Sequence, residues 1–234
     1  MEAVYRIGDF PKAVGRASNW GRTGKIPVTF RPYSAKADRY HKAMANTGAD
    51  VVPLSPRKRL LAASIRLFYR NGIQATGVSE LCEVAGVSKR TLYQLYGGKD
   101  ELIAAYLEHM SDKQVIPVER KLFDDGLAPA DRLAQLFDRP DPERFRGCPF
   151  HNASVELTTP GHPAQPVIHA YKENFCRRIA DTAREAGLRD PEDLGRSLML
   201  LYEGASALAT STGDVAAFDS ARPVAEKLIR EAAA

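Results

Sequence analysis

Apolar side chains recur at helical spacing along most of the chain. Leu61, Ile65 and Phe68 mark the first such stretch, and spacings of three or four residues are typical of an amphipathic α-helix. Ser55, just before this stretch, is suited to cap a helix N-terminus. Asn71-Gly72 is typical of a helix end. The pattern therefore predicts a helix that begins after Ser55 and ends before Gly72.

Three more helices follow, separated by glycine-containing turns. Thr76-Gly77 precedes the second helix, Gly86-Val87 predicts a tight turn, and Ser88 is suited to cap the third helix. We expect the third helix to run from Lys89 to about Tyr96 and the fourth from near Lys99 through Met110. The first three helices would form a small head, and the fourth would lead out of it.

The rest of the chain also predicts helices, and no segment alternates as a β-strand does. Breaks are expected at prolines and glycines such as Pro160-Gly161 and Gly213. The sequence therefore predicts an all-α protein with a three-helix head and a larger helical body. The helices expected in the body cover residues 129–138, 149–158, 163–187, 191–212 and 217–232.

Residues 1–55 lack a sustained period and are rich in Gly, Pro, Ser, Arg and Lys. This composition predicts a disordered N-terminal extension. A second interpretation is that the natural protein begins at Met44 and that residues 1–43 do not belong to it. Mass spectrometry of the native protein would distinguish the two.

Charge is distributed unevenly, although the net charge is only +4. Residues 1–50 carry nine Lys/Arg against four Asp/Glu, residues 51–110 eight against five, and residues 111–234 sixteen against twenty. A basic N-terminal half suits contact with nucleic acid at one end of the molecule. The three sparse cysteines predict reduced thiols. Since the chain also lacks a signal pattern and a long apolar run, we expect a cytoplasmic protein.

The stretch from Val78 to Tyr93 has the spacing of a helix-turn-helix. Ala85 is small where the two helices cross, and Gly86 permits the turn between them. Lys89 and Arg90 lie in the first helical turn, where the helix dipole disfavours cations. Two cations there indicate an anionic partner, and a helix so placed enters the DNA major groove with its N-terminal residues toward base edges.

These residues resemble the N-terminal domain of the tetracycline-repressor (TetR) family. The resemblance implies DNA contacts position by position. Thr76 and Lys99 match contacts to backbone phosphate, whereas Leu92 matches a core position. Leu95 and Arg90 depart from the residue types common in the family. The matching motifs are Phe68-Tyr-Arg-Asn-Gly72, Ala75-Thr76, Ala85-Gly-Val-Ser-Lys89, Thr91-Leu-Tyr93, Tyr96 and Lys99-Asp-Glu-Leu102, and the positions implied to face DNA in the third helix are Lys89, Arg90, Thr91 and Tyr93.

The resemblance divides the chain into a DNA-binding domain at residues 56–102 and a ligand-binding and dimerisation domain at residues 103–234. It implies that the last two helices pair with those of a second subunit. Candidates for this dimer interface are Leu198, Leu201, Tyr202, Ala205, Leu208 and Leu228. Aromatic and polar residues scattered through the body are candidates for an effector pocket, and they are Phe137, Phe150, Asn152, His169, Tyr171, Phe175, Met199 and Tyr202.

The segment Gly147-Cys-Pro-Phe-His-Asn152 is distinctive within the body. Cys148 and His151 supply only two potential metal ligands, whereas a closed zinc site needs four, so we expect no metal and no other cofactor. Cys148 is also a candidate redox switch, with Cys176 as a possible partner. The alternative is that Cys148 is a small buried residue at a helix start.

Together these features predict a bacterial transcriptional repressor that binds a palindromic operator as a homodimer and is released by a small-molecule effector. It would be associated with the nucleoid when bound to DNA. One alternative is an oxidant-sensing regulator that uses Cys148. An alternative of another class is an enzyme acting on a small molecule in the body. No catalytic motif in the sequence supports the enzyme, and turnover of a bound compound would reveal it.

Overall fold

The computed structural model describes residues 54–112 and 116–233, apart from the side chain of Pro117. Within these ranges every regular element is helical and no strand occurs, which confirms the all-α prediction. The described residues belong to one compact unit. The disordered extension predicted for residues 1–55 lies outside the described part of the chain except for its last two residues, and the question of residues 1–43 lies wholly outside it.

The helices follow the predicted bounds closely. The predicted helix at residues 129–138 ends earlier, at Gln135, and a short helical stretch before it was not expected. In chain order the helices are α1 (Pro56–Asn71), α2 (Val78–Ala85), α3 (Lys89–Tyr96), α4 (Lys99–Met110), α5 (Pro117–Arg120), a 3₁₀ turn (Lys121–Phe123), α6 (Pro129–Gln135), α7 (Pro149–Glu156), α8 (Ala164–Glu185), α9 (Pro191–Thr212) and α10 (Ala217–Ala233).

The head packs α1, α2 and α3 around a small apolar core. Leu60, Leu81 and Leu92 come from one helix each, and all three are fully buried. Burial of a leucine side chain contributes roughly 1.5–3 kcal/mol. Phe68 of α1 meets Tyr106 of α4 edge to face, with ring centroids 5.5 Å apart, so α4 is packed against the head. Because α4 runs unbroken past residue 102, it joins the head to the body.

The body is built on α8, α9 and α10. Seven aromatic rings of the body are joined by a continuous series of ring contacts, and they belong to Phe137, Phe145, Phe150, Tyr171, Phe175, Tyr202 and Phe218. The C-terminal end of α10 is held by Arg189, whose backbone N–H and guanidinium donate to the carbonyl oxygens of Ala232 and Glu231 at 2.9 and 2.7 Å. These bonds satisfy carbonyl groups that a helix end leaves without an internal partner. None of the helices in the described ranges is long and apolar enough to cross a membrane.

Candidate nucleic-acid interface and effector cavity

Helix α3 is held as a rigid surface element by its cap and by its buried face. The Ser88 hydroxyl accepts a hydrogen bond from the backbone N–H of Thr91 at 3.1 Å. Gly86, at the turn before it, has a φ of 62°, a left-handed conformation that favours glycine. Leu92 is fully buried against the head core, as predicted. The opposite face of α3 is therefore left free to meet a partner.

That exposed face carries the residues predicted to contact DNA. Lys89, Arg90 and Tyr93 are exposed, and Thr91 is half-buried with its hydroxyl 2.9 Å from that of Ser88. Among the described residues, neither Lys89 nor Arg90 forms an ion pair or a side-chain hydrogen bond. Two unpaired cations thus stand at the N-terminal end of the helix, close to the exposed phenol of Tyr93.

The structure places Thr76 and Lys99 differently from the other four candidates. Thr76 is fully buried, and its hydroxyl donates to the carbonyl oxygen of Gly72 at 2.8 Å. This side chain ties the loop to the end of α1, which leaves its hydroxyl unable to reach a phosphate. Lys99 is half-buried at the start of α4, and burial lowers its pKa, while Asp100 and Glu156 act in the opposite direction. Lys99 therefore faces acidic neighbours as well as solvent.

Two further cations that were not predicted from the sequence border α3. Arg57 donates to the carbonyl oxygen of Leu95 at 2.6 Å, and its guanidinium lies 4.5 Å from the ring centroid of Tyr96. Arg59 donates to the carbonyl oxygen of Gly86 at 3.3 Å. The run Arg57-Lys58-Arg59 in the first turn of α1 was the available signal, since cations there are as unfavourable as those at the start of α3.

A cavity of about 430 Å³ lies beside the junction of the head and body. Four aromatic side chains of the body line it, together with residues of α1 and α4. This volume falls within the range of small-molecule sites. The body aromatics are Phe145, Tyr171, Tyr202 and Phe218, and the residues from α1 and α4 are Tyr69 and Met110.

Two of the eight predicted pocket residues, Tyr171 and Tyr202, line this cavity. His169 is on the surface, with its side chain 81% exposed and 3.5 Å from Glu173. Asn152 is half-buried and supports the wall from outside, as its amide donates to the carbonyl oxygen of Arg146 at 2.7 Å. The remaining candidates are buried in the core without lining the cavity, namely Phe137, Phe150, Phe175 and Met199.

These core rings extend the aromatic wall inward. Phe150 stacks on Tyr171, with ring centroids 3.5 Å apart and planes 6° apart. Phe175 meets both Tyr171 and Tyr202, at 6.1 and 5.5 Å, and Phe137 meets Tyr202 at 6.3 Å. Tyr69, Phe145 and Phe218 were not among the predicted pocket residues. Tyr69 belongs to the head, and nothing in the sequence around Phe145 or Phe218 indicates that they pack beside Tyr171 and Tyr202.

A buried carboxylate lies behind Tyr171. Glu119 accepts hydrogen bonds from the Tyr171 hydroxyl and from the Arg178 guanidinium. Burial raises the pKa of Glu119, although both partners act in the opposite direction. Burial also raises the pKa of Tyr171 well above its usual value. The Tyr171 ring is thus held in one orientation by a hydrogen bond at its far end.

The segment from Arg146 to Cys148 is a wall shared by the cavity and the head. The Tyr69 hydroxyl on α1 donates to the carbonyl oxygen of Gly147 at 3.1 Å and accepts from the backbone N–H of Arg146 at 3.0 Å. Gly147 has a φ of 84°, and a Cβ there would lie 2.3 Å from the Thr210 hydroxyl oxygen of α9. Any other residue at this position would be strained and would clash.

Two other contacts join the head to the body. Glu156 at the end of α7 accepts from the backbone N–H of Gln74 at 2.7 Å. His162 is buried beside the start of α4, with its Nε2 3.5 Å from a carboxylate oxygen of Asp100. Together with Tyr69, these residues connect the body to α1, to the loop after it and to α4.

Comparison with known proteins supports this arrangement. The family model described as "Bacterial regulatory proteins, tetR family" matches residues 60–106, which contain α2 and α3. A tetR-type transcriptional regulator of Streptomyces avermitilis is 37% identical, with a TM-score of 0.66 over 77% of this chain and 99% of the other. The chain belongs to the TetR family. It is therefore a helix-turn-helix transcriptional regulator.

Other TetR-family regulators are similar over comparable lengths. A regulator of Streptomyces coelicolor is 28% identical, with a TM-score of 0.65 over 76% of this chain and 96% of its own. The helix-turn-helix transcriptional regulator YezE of Bacillus subtilis is 24% identical over 163 residues, which are 64% of this chain and 81% of that protein. The similarity thus extends through the body as well as the head.

The last two helices of this TetR-family chain bear an exposed apolar surface. On α9, Leu200 is 75% exposed and Leu208 is 56% exposed. Val224 of α10 is also exposed, and Leu201 and Leu228 are half-buried. The other dimer candidates, Leu198, Tyr202 and Ala205, are buried within the subunit. The apolar stripe predicted on α9 and α10 therefore has an inward half, which packs in the core of the subunit, and an outward half, which is exposed on its surface.

Cys148 is buried at the start of α7, where it also lines the cavity. The Lys172 ammonium lies 3.5 Å from its sulfur and pairs with Glu203 at 2.6 Å. Burial raises the pKa of the Cys148 thiol, while Lys172 acts to lower it. Cys176 is half-buried on α8. Among the described residues no cluster of three potential metal ligands is present.

Proposed function

We propose that this TetR-family regulator is a repressor that binds a palindromic operator as a homodimer and is released by a small molecule in the body. The observation that carries the proposal is the exposed face of α3. Its two unpaired cations and Tyr93 stand on a helix whose cap and buried face hold it in place. As the regulator of bacterial genes, it would act in the cytoplasm, bound to the nucleoid.

The side chains of α3 suit both kinds of DNA contact. A guanidinium such as that of Arg90 can bind guanine through two hydrogen bonds, and Thr91 can contact a base or a thymine methyl group. Lys89 and the Tyr93 hydroxyl are suited to phosphate. Arg57 and Arg59 extend the basic surface along the border of α3. Phosphate contacts would set the register, and the base contacts would select the sequence.

The outward half of α9 and α10 supports dimerisation. Leu200, Leu208 and Val224 expose apolar surface that a second copy would cover, and a two-fold symmetric dimer buries the same surface on both subunits. Such a dimer presents two copies of α3 to half-sites about one helical turn apart. A palindromic operator follows from this symmetry.

Release by an effector is supported by the wall that the cavity shares with the head. A compound in the cavity would touch the segment 146–148, which holds Tyr69 of α1 through two hydrogen bonds. A ligand shifts an equilibrium only through different contacts in the two states. The effector would favour a different position of this segment, and hence of α1 and α4. In that state the distance between the two heads of the dimer would no longer match the spacing of the operator half-sites.

Operator titration tests this function. We would titrate DNA flanking the protein's own gene at two salt concentrations, with wild type and the double variant Arg90→Ala/Tyr93→Ala. The matched control is Arg177→Ala, which removes an exposed cation from α8. We expect specific binding that weakens steeply with salt, is lost in the double variant and is kept by the control. Equal loss in the control and the double variant would contradict the proposal.

An oxidant-sensing regulator is the second candidate, because the Lys172 ammonium lies 3.5 Å from the Cys148 sulfur. A nearby cation favours the thiolate, which is the reactive form of cysteine. Oxidation of Cys148 would then move the same segment 146–148. The raised pKa of this buried thiol favours the small-molecule effector over this candidate.

A further inference from the structure

Each charged side chain that lines the cavity is paired with an opposite charge, either within the lining or next to it. Asp138 binds both Lys121 and Arg222. Arg139 pairs with Asp219 at 2.9 Å, and Arg144 lies 3.4 Å from Asp141. A charged ligand would have to compete with these existing pairs for a partner. The pairing of the charged groups therefore favours an uncharged ligand.

The hydroxyls of the three tyrosines that line the cavity differ in one respect. The Tyr69 hydroxyl bonds to the segment 146–148, and the Tyr171 hydroxyl bonds to Glu119. Tyr202 is 6% exposed, close to the 4% of Tyr171, yet its hydroxyl has no hydrogen-bond partner among the described residues. The hydroxyl is not one of the fully enclosed unpaired atoms of these residues, so it keeps some accessible surface. An unpaired hydroxyl on a residue lining a cavity indicates a place where a ligand completes the bonding.

The walls around Tyr202 select the shape of such a ligand. Phe218 meets Tyr202 edge to face at 6.0 Å, and Phe145 meets Phe218 in the same way at 5.6 Å. Tyr171, whose ring stacks on Phe150, also lines the cavity. Flat ring surfaces favour planar aromatic partners through offset or edge-to-face contacts.

We infer that the effector is an uncharged planar aromatic compound with an oxygen atom that accepts a hydrogen bond from the hydroxyl of Tyr202. This inference rests on the proposed function, because it names the chemical class of the effector. Burial raises the pKa of Tyr202 well above its usual value, so its hydroxyl stays a neutral donor at physiological pH.

Three probes of nearly equal size separate the parts of this inference. Fluorenone is uncharged, planar and has one carbonyl acceptor, fluorene lacks the acceptor, and fluorene carboxylate is an anion. Calorimetric titration of the full-length protein without DNA measures their affinities. We expect fluorenone to bind about tenfold more tightly than fluorene, since an unpaired buried hydroxyl gains a partner. Fluorene carboxylate should bind at least about tenfold more weakly than fluorenone.

The variant Tyr202→Phe removes only the hydroxyl. It should bring fluorenone and fluorene to within about twofold of each other while keeping the affinity for fluorene. The control Tyr106→Phe alters a tyrosine that is buried on α4 away from the cavity lining, and it should preserve the tenfold preference. Thermal denaturation of each variant verifies that it is folded.

Several results would overturn the inference. These are absence of binding by both uncharged probes, tightest binding of the carboxylate, or a fluorenone preference that persists in Tyr202→Phe. Operator titration of the same preparations keeps the two proposals apart. A protein that binds operator but rejects fluorenone retains the proposed regulatory function and refutes the effector class. A protein that binds fluorenone but no operator keeps the proposed ligand class of the cavity and refutes the proposed regulatory function.

Discussion

The Tyr69 hydroxyl donates a hydrogen bond to the Gly147 carbonyl oxygen at 3.1 Å, across 78 positions of the sequence. Tyr69 lies on the first helix of the DNA-binding head, and Gly147 lies in the wall of the cavity. The bond therefore joins the two parts of the molecule that the proposed mechanism must couple.

Replacing Tyr69 by Phe should weaken this coupling. The change leaves the Arg146 N–H and the Gly147 carbonyl without their partner, which costs about 1–3 kcal/mol of stability. We expect Tyr69→Phe to change the operator affinity of the free protein only a little. The loss of operator affinity that saturating fluorenone causes should be reduced more. Chemical denaturation and operator titration with and without fluorenone provide both measurements. Tyr106→Phe is the control, and an equal loss of response there would show that Tyr69 has no special role.

Replacing Ser88 by Ala should loosen the recognition helix. The Ser88 hydroxyl accepts from the Thr91 N–H and contacts the Thr91 hydroxyl, and loss of such a cap costs about 1 kcal/mol. We expect operator affinity to fall several-fold in gel-shift titration. Ser154→Ala, which removes a hydroxyl bonded to the His151 carbonyl within α7, should leave it unchanged. Unaltered DNA binding by Ser88→Ala would argue against α3 as the reading element.

Replacing Leu208 by Glu should dissociate the dimer. Leu208 is exposed on α9 in the surface that we assign to the second subunit, and a buried unpaired carboxylate there is strongly unfavourable. Sedimentation velocity should show a monomer with weakened operator affinity. Val155→Glu places the same charge on another exposed apolar residue, on α7, and should stay dimeric. A dimer that survives Leu208→Glu would place the interface elsewhere.

Peroxide should leave operator binding of the wild type nearly unchanged. Burial raises the pKa of the Cys148 thiol and so reduces the fraction of reactive thiolate. Operator titration before and after peroxide treatment checks this, with Cys148→Ser and Cys176→Ser alongside. If peroxide released wild type and Cys176→Ser but not Cys148→Ser, the oxidant-sensing candidate would replace the small-molecule effector.

Glu119 should give stability a characteristic pH dependence. Burial raises its pKa in the folded protein above the usual value of 4.5, so the folded state binds the proton more tightly than the unfolded chain does. Its contribution to the unfolding free energy is therefore fully present below pH 4.5 and decreases as pH rises through the folded pKa. Urea denaturation across pH should show wild type losing stability relative to Glu119→Gln in that window. A difference that is constant or grows with pH would contradict this.

The head could be predicted from sequence almost residue by residue. Ser88, Gly86 and Leu92 act through neighbours one to four positions away, or through a helical period that shows which side is buried. The resemblance assigned Lys89, Arg90 and Tyr93 to the exposed face, where the structure places them. Thr76 and Lys99 were the exceptions. The burial of Thr76 depends on how the loop folds back on the end of α1, and Lys99 is half-buried near Glu156 of the body.

The sequence by itself determined the helices, their caps and the basic recognition face, because these follow from local periodicity and from side chains that bond to nearby backbone. Only the tertiary structure decided which residues line the cavity and which half of the α9 stripe faces outward. Tyr69 and Tyr202 are 133 positions apart in the sequence and line the same cavity, whereas His169 is on the surface at a position that periodicity did not distinguish. Such placements depend on how helices distant in sequence pack against one another, and helical period alone carries no information about that packing.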